Sequence, residues 1–232
     1  MDMDSRKITD IFFDLDHTLW DFDRNSRLAF HRVFNEYGIT IDMDDFLEIY
    51  EPININYWKM YREERIDKTG LRRGRFLDAF QPFGILFSME EVDALASSYI
   101  DELPKDNHLH EGTIDVLTYL TEKKYKLHII TNGFDEVQFL KLKNSNIDNY
   151  FDTVTTSEEV GVKKPNRLVF ERALEKANAI PVKSVMIGDT FEADIMGAEA
   201  VGMHTLFYNY RKINPPINCR MINDLHEIKN FF

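Results

Sequence analysis

From residue 112 to residue 208, helical patterns alternate with short runs that are apolar at successive positions: Ile129-Ile130, Val185-Met186-Ile187, Leu206-Phe207-Tyr208. Strands that face solvent on one side alternate apolar and polar residues. Strands apolar at every position are buried on both faces, as in a parallel sheet clothed by helices. The pattern predicts strands at 126–130, 152–155, 184–187 and 203–208. It predicts helices at 113–124, 135–144, 167–178 and 191–200, the first with Ile114, Val116, Leu117 and Leu120 facing inward. Residues 8–15, with Ile11-Phe12-Phe13, supply one more strand of the same character. Residues 22–105 read as helix throughout: 25–37 with Leu28, Phe30, Val33, Phe34 and Tyr37 on one face, then helices near 44–61, 75–83 and 89–103. Pro52 is expected to break or kink the second of these. The fold class is therefore α/β, a parallel sheet with helices on both faces (1–21 and 106–232) carrying an inserted α-helical domain (22–105).

In an open parallel sheet, ligands bind beyond the carboxyl ends of the strands. The first strand ends in Asp14-Leu15-Asp16-His17-Thr18. Side chains at i and i+2 leave a strand on the same side, so Asp14 and Asp16 face one spot. Two readings are open at this point. One is a strand running into a polar turn, where Asp and Thr are common. The other is a reaction centre, in which a cation sits between the carboxylates or one of them holds a proton. Two more strands end in polar residues, at Thr131-Asn132 and at Asp189, and the loop after the strand near Thr155 carries Lys163 and Lys164. Taken singly, Thr131 reads as a turn hydroxyl, and Asp189 and Asp194 as helix N-terminal acids. Three strand ends meeting at one edge of one sheet favour the reaction centre.

The chain has 28 basic and 40 acidic residues, for a net charge of −12. Nucleic-acid polymers and anionic membranes reward clustered Lys and Arg, so neither is an expected partner. A small phosphate ester needs only local positive charge. Cys219 is the sole cysteine, which excludes an intrachain disulfide and fits a reducing, cytoplasmic setting. The start, Met1-Asp2-Met3-Asp4, shows no signal-peptide pattern, and no apolar run reaches the roughly 18–20 residues of a membrane span.

Asp14-Leu15-Asp16-His17-Thr18, Thr131-Asn132-Gly133, Lys164-Pro165 and Gly188-Asp189 followed by Asp194 resemble, in order, the four motifs of the haloacid dehalogenase (HAD) superfamily of phosphatases. The helical insert after the first motif is similar to that superfamily's C1-type cap on its Rossmann-like core. The resemblance implies an Mg²⁺-dependent phosphomonoester hydrolase. Asp14 is the implied nucleophile, forming an aspartyl-phosphate. Asp16 is the implied general acid and then base, so it must be protonated for part of the cycle. Thr131 and the amide of Asn132 hold phosphate oxygens, and Lys164 offsets charge on Asp14 and on the phosphoryl group. Mg²⁺ is taken by Asp14, Asp189 and the backbone carbonyl of Asp16, and Asp194 orients Lys164 or a metal-bound water. His17, where the family often has Gly or Asp, reads as a neighbour of the site, and Lys163 as a surface residue.

The stretches 131–143 and 157–165, with Gln138, Lys141 and Lys143 in the first, further resemble the YjjG-type branch, whose members act as 5′-nucleotidases on nucleoside monophosphates. That implies a nucleotide substrate. Arg75 in the insert would contact it, or would be a surface arginine of the 72–75 cluster. Among Trp20, Phe22, Tyr57, Trp58 and Phe76, at most one would stack on a base. A dehalogenase is disfavoured because Asp16 is present. A sugar-phosphate or phosphoglycolate phosphatase, a phosphomutase and a non-catalytic nucleotide-binding protein are the other readings.

Overall fold

The computed structural model describes residues 8–214 and 219–232; the reading of the N-terminal start falls outside them. Contacts divide the chain into two compact units. One comprises the described residues of Met1–Phe22 and Asn107–Phe232, the other Asp23–Asp106.

The larger unit is built on a six-stranded sheet, parallel at every pairing, in the order β3-β2-β1-β4-β5-β6. The strands are β1 (Asp10–Phe13), β2 (Lys126–Thr131), β3 (Thr153–Thr156), β4 (Ser184–Gly188), β5 (His204–Tyr208) and β6 (Met221–Ile222). β1 lies between β2 and β4, with Phe13 level with Ile129 on one side and Ile187 on the other. This central place explains the apolar run Ile11-Phe12-Phe13, all three buried; Asp10, which opens the strand, is buried too and meets the His128 ring at 3.2 Å. β6 went unforeseen because two residues are too short to show a period.

The smaller unit holds most of α1 (Phe22–Tyr37), then α2 (Met43–Arg62), α3 (Lys68–Phe80) and α4 (Met89–Glu102). Asp42 caps α2 through the amides of Asp44 and Asp45, and a Ser88/Glu91 capping box opens α4. Pro52 does not interrupt α2. It lies on the exposed face, as does Glu48 one turn earlier, so water can take the carbonyl that a proline leaves unpaired. The core of this unit is aromatic: Phe30 packs on Tyr99 at 4.5 Å, Tyr50 at 4.7 Å and Phe46 at 4.9 Å between ring centroids.

In the larger unit follow α5 (Thr113–Glu122), α6 (Asp135–Asn144), the short α7 (Ser157–Val160) inside the expected loop, and α8 (Arg167–Ala177). Ile114, expected to face inward, is 46% exposed; Val116, Leu117 and Leu120 carry the buried stripe. Phe191–Met196 forms a π-helical turn that runs into α9 (Gly197–Glu199). Phe12, Ile130, Val169, Phe170 and Met186 belong to one core cluster against α8. No helix among the described residues is long and apolar enough to cross a membrane.

Candidate active site

The ladder carries one residue past β1: the Asp14 amide donates to the Ile187 carbonyl at 2.9 Å. The chain then turns tightly, with the amides of Thr18, Leu19 and Trp20 all donating to the Leu15 carbonyl and His17 in the left-handed region at φ 64°. Asp14 is 8% exposed. β2 delivers Thr131 next to it in the sheet, and β4 delivers Gly188-Asp189.

Lys164 comes from a loop and is brought to the strand ends by Asn132. The Asn132 side chain accepts from the Lys164 amide (2.8 Å) and donates to the Lys164 carbonyl (3.1 Å). The Lys164 ammonium, fully buried, donates to Asp14 Oδ1 (2.6 Å), Asp194 Oδ1 (2.7 Å) and the Ile130 carbonyl (2.7 Å). Those three bonds use its whole donor capacity. Asp194 is anchored from its other oxygen as well, which accepts from the Thr190 amide at 2.9 Å. Gly188 permits this approach, because a Cβ there would stand 2.3 Å from Asp194 Oδ2. The π-helical turn that carries Asp194 is a feature that recurs at functional sites.

Carboxylate oxygens of Asp14, Asp189 and Asp194 lie within 4.8 Å of one another. Burial pushes the Asp14 carboxyl up to about 7; Lys164 opposes this, while Asp194 and Asp16 push further up. Asp189 keeps part of its surface open, yet burial, then Asp14 and Asp194, raise it well above the ordinary range, against Arg211 and Lys164. Burial alone would lower the Lys164 ammonium, but Asp14 and Asp194 outweigh it and raise it. Asp14 and Lys164 both hold protons more tightly than they do in water. The consistent picture is a charged lysine among too many carboxylates, of which one ammonium can offset only part.

Of the expected site residues, Asp14, Asp16, Thr131, Asn132, Lys164, Asp189 and Asp194 fall at this end of the sheet. Arg75 belongs to the other unit. It is no surface arginine: at 1% exposure it donates to Asn54 Oδ1 (2.9 Å) and packs against the Phe76 and Tyr99 rings. Trp20 and Phe76 are fully buried. Two residues present in the sequence without an assigned part also meet the site. Gln138 Nε2 donates to Thr131 Oγ1 (2.7 Å) and Asp16 Oδ2 (3.1 Å), and Lys141 Nζ donates to Asp16 Oδ1 (2.6 Å). Their three-residue spacing on α6 was the available signal, since it puts both on one helix face.

A parallel sheet with acids and a lysine at the carboxyl ends of its strands is an α/β fold with a ligand site at its strand ends, and comparison with known proteins identifies the family. The family model "haloacid dehalogenase-like hydrolase" matches residues 11–208. The chain belongs to that family. It is 32% identical to the pyrimidine 5′-nucleotidase YjjG of Escherichia coli over 94% of this chain and 95% of that one. It is 34% identical to the pyrimidine 5′-nucleotidase PynA of Streptococcus pneumoniae, over 86% and 83%. Among solved structures, the HAD-hydrolase YfnB of Bacillus subtilis, described as bound to magnesium, superposes with a TM-score of 0.88 at 25% identity, covering 96% of this chain and 97% of that one.

Proposed function

We propose that this protein is an Mg²⁺-dependent phosphomonoester hydrolase acting through an aspartyl-phosphate, with nucleoside 5′-monophosphates as substrates. The observation that carries the reading is the Asp14–Lys164–Asp194 arrangement, a buried carboxylate fixed by an ammonium that is itself fixed. The names of the two nucleotidase relatives support the substrate class.

Asp14 attacks phosphorus, and the bond to the leaving oxygen breaks as Asp16 gives that oxygen a proton. Water then attacks the phosphoryl group, Asp16 takes its proton, and the Asp14–phosphorus bond breaks to release phosphate. Thr131 and the Asn132 amide hold phosphate oxygens. Lys164, with its donors already taken, acts on the transferring group through charge, not through a new hydrogen bond. The crowding that raises Asp14 and Asp189 is what a divalent cation would relieve, so the donors fit the metal. Asp14, Asp189 and the Asp16 carbonyl would hold Mg²⁺, which supplies charge neutralisation at the phosphoryl oxygens. Asp194, with both oxygens engaged by Lys164 and Thr190, is the orienting group. We assign the helical unit the part of a cap, with Arg75 as its substrate-reading residue. The support is its Nε and Nη2, both buried without a hydrogen-bond partner, where a substrate acceptor would satisfy them.

The test is phosphate release across nucleoside monophosphates, sugar phosphates and phosphoglycolate, with Mg²⁺ and with chelator. The expected result is metal-dependent release, greatest on nucleotides. Greater release from sugar phosphates would change the substrate, and saturable binding without turnover would sink the enzymatic reading. Asp16→Ala should lower kcat/KM by about 10²–10⁴-fold on alkyl phosphates and far less on 4-nitrophenyl phosphate, whose leaving group needs no acid. Equal losses would remove Asp16 from proton transfer.

A pH dependence follows from Asp14. Its carboxyl ionises near 3.8 in the unfolded chain and near 7 in the metal-free fold. Within that window the folded state keeps a proton that the unfolded state has lost. Stability therefore falls as pH rises through that window. Mg²⁺ should raise Tm more at pH 8 than at pH 5, as thermal melts with and without chelator would show. Equal shifts at both pH values would take these carboxylates out of the metal site.

A further inference from the structure

We propose that Gln138 and Lys141 are positioning residues for catalysis: they clamp the Asp16 carboxylate for proton transfer, and Gln138 aims the Thr131 hydroxyl at the substrate phosphate. This rests on the phosphomonoester reading above and adds to it the groups that set its acid.

One turn of α6 engages both oxygens of Asp16, Lys141 at Oδ1 and Gln138 at Oδ2. A carboxylate offers about four lone-pair directions. Two are used here, which fixes the plane of the group and leaves the others for a proton or a leaving oxygen. Lys141 is itself immobilised. It is 2% exposed, and its ammonium lies 4.2 Å from the centroid of the buried Trp20 ring and 5.3 Å from that of Phe22. Trp20 is in turn tied to the Asp16 turn by backbone pairing. The clamp is therefore continuous from α6 to the end of β1.

Gln138, with no exposed surface, links this acid to the phosphate site. Thr131 Oγ1 accepts from Gln138 Nε2 and from the Gly133 amide (3.1 Å). Both of its acceptor positions are then filled, and its one proton must be donated elsewhere. For a hydroxyl at the end of β2, a phosphate oxygen is the acceptor that the reaction supplies. In this orientation Gln138 donates to the Asp16 carboxylate, and its own Oε1 is buried without a hydrogen-bond partner. Gly133 protects the arrangement, because a Cβ at that position would stand 2.3 Å from Gln138 Cδ.

Packing does not require these residues. Methionine would fill either space without burying an ammonium or an amide, and buried polar groups cost stability unless they are well paired. Their common feature is that they end on Asp16.

The experiment measures kcat/KM, which reports the phosphorylation step, with Mg²⁺ on phenyl phosphate and 4-nitrophenyl phosphate, esters alike in shape but not in leaving group. Lys141→Met should lose about 10–100-fold on phenyl phosphate and less than about 3-fold on the nitrophenyl ester. Lys141→Arg should restore most of the loss. In an Asp16→Ala background, Lys141→Met should cost nothing further on phenyl phosphate, because its effect runs through Asp16. Equal losses on the two esters, or an undiminished loss without Asp16, would overturn the proposal. Should Lys141→Met not fold, Gln138→Met is read instead: acting through Thr131 as well as Asp16, it should lose on both esters but more on phenyl phosphate, and only that excess should vanish in the Asp16→Ala background. Asp16→Ala alone separates the two levels. If it fails to discriminate the esters, the acid reading falls and the clamp with it. If it discriminates and the α6 variants do not, only the clamp falls.

Discussion

Asp14→Asn should lose phosphate release by about 10⁴-fold or more, a loss typical of removing a nucleophile that forms the covalent intermediate, and it should do so without loss of the fold. The amide keeps the shape of the side chain and an oxygen to accept from Lys164. It removes one of three crowded negative charges from a site where burial already holds Asp14 near 7. Without metal, then, the variant should melt at the same temperature as wild type or higher at pH 8, and Mg²⁺ should stabilise it less. That combination, activity gone and stability kept or gained, is the usual signature of a functional site held against its own electrostatics. A variant that hydrolyses esters at the wild-type rate would show that Asp14 is not the nucleophile. A variant that is inactive because it is unfolded would show instead that the carboxylate is structural.

Lys164→Met is the second large effect, and here activity and stability should fall together. The lysine ends two buried carboxylates and the Ile130 carbonyl at once. Its loss strands Asp14 and Asp194, and breaking a buried pair from one side costs about 3–5 kcal/mol. For a chain of this length that is a drop in Tm of at least about 6 °C. The deficit should shrink in the double variant with Asp14→Asn, since one of the stranded charges is then gone. Additive losses in melts of the four proteins would mean that Lys164 and Asp14 do not depend on each other as their 2.6 Å contact implies. A lysine that mattered only to substrate binding would lower activity and leave Tm where it was.

Much of this site is legible along the chain. Asp14, Thr131 and Asp189 lie at strand ends, and strand ends can be read from where an apolar run stops. Lys164 and Asp194 are harder to place: each is recognisable in its motif, but the motif says nothing of the Ile130 carbonyl or the Thr190 amide that complete their bonding. The helices show the limit of pattern reading. Ile114 fits the apolar stripe of α5 and is nonetheless exposed. Pro52 breaks the local rule for helices and is harmless, because the carbonyl it orphans lies at the surface. Arg75 sits among other arginines in the sequence and looks like part of a solvated face, yet its guanidinium is buried against Phe76 and Tyr99.

The sequence by itself determined the α/β class, through strands apolar at successive positions, and the family, through four short motifs in order. Both are local properties: a strand's burial shows in its own composition, and a motif in its own spacing. Which groups hold Asp16 was decided only by tertiary structure. Residue spacing puts Gln138 and Lys141 on one face of α6, but it carries no information about what that face meets. Asp16 lies 122 and 125 residues away along the chain, and its contact with them exists only because β2 lies beside β1 and α6 packs back over the end of both.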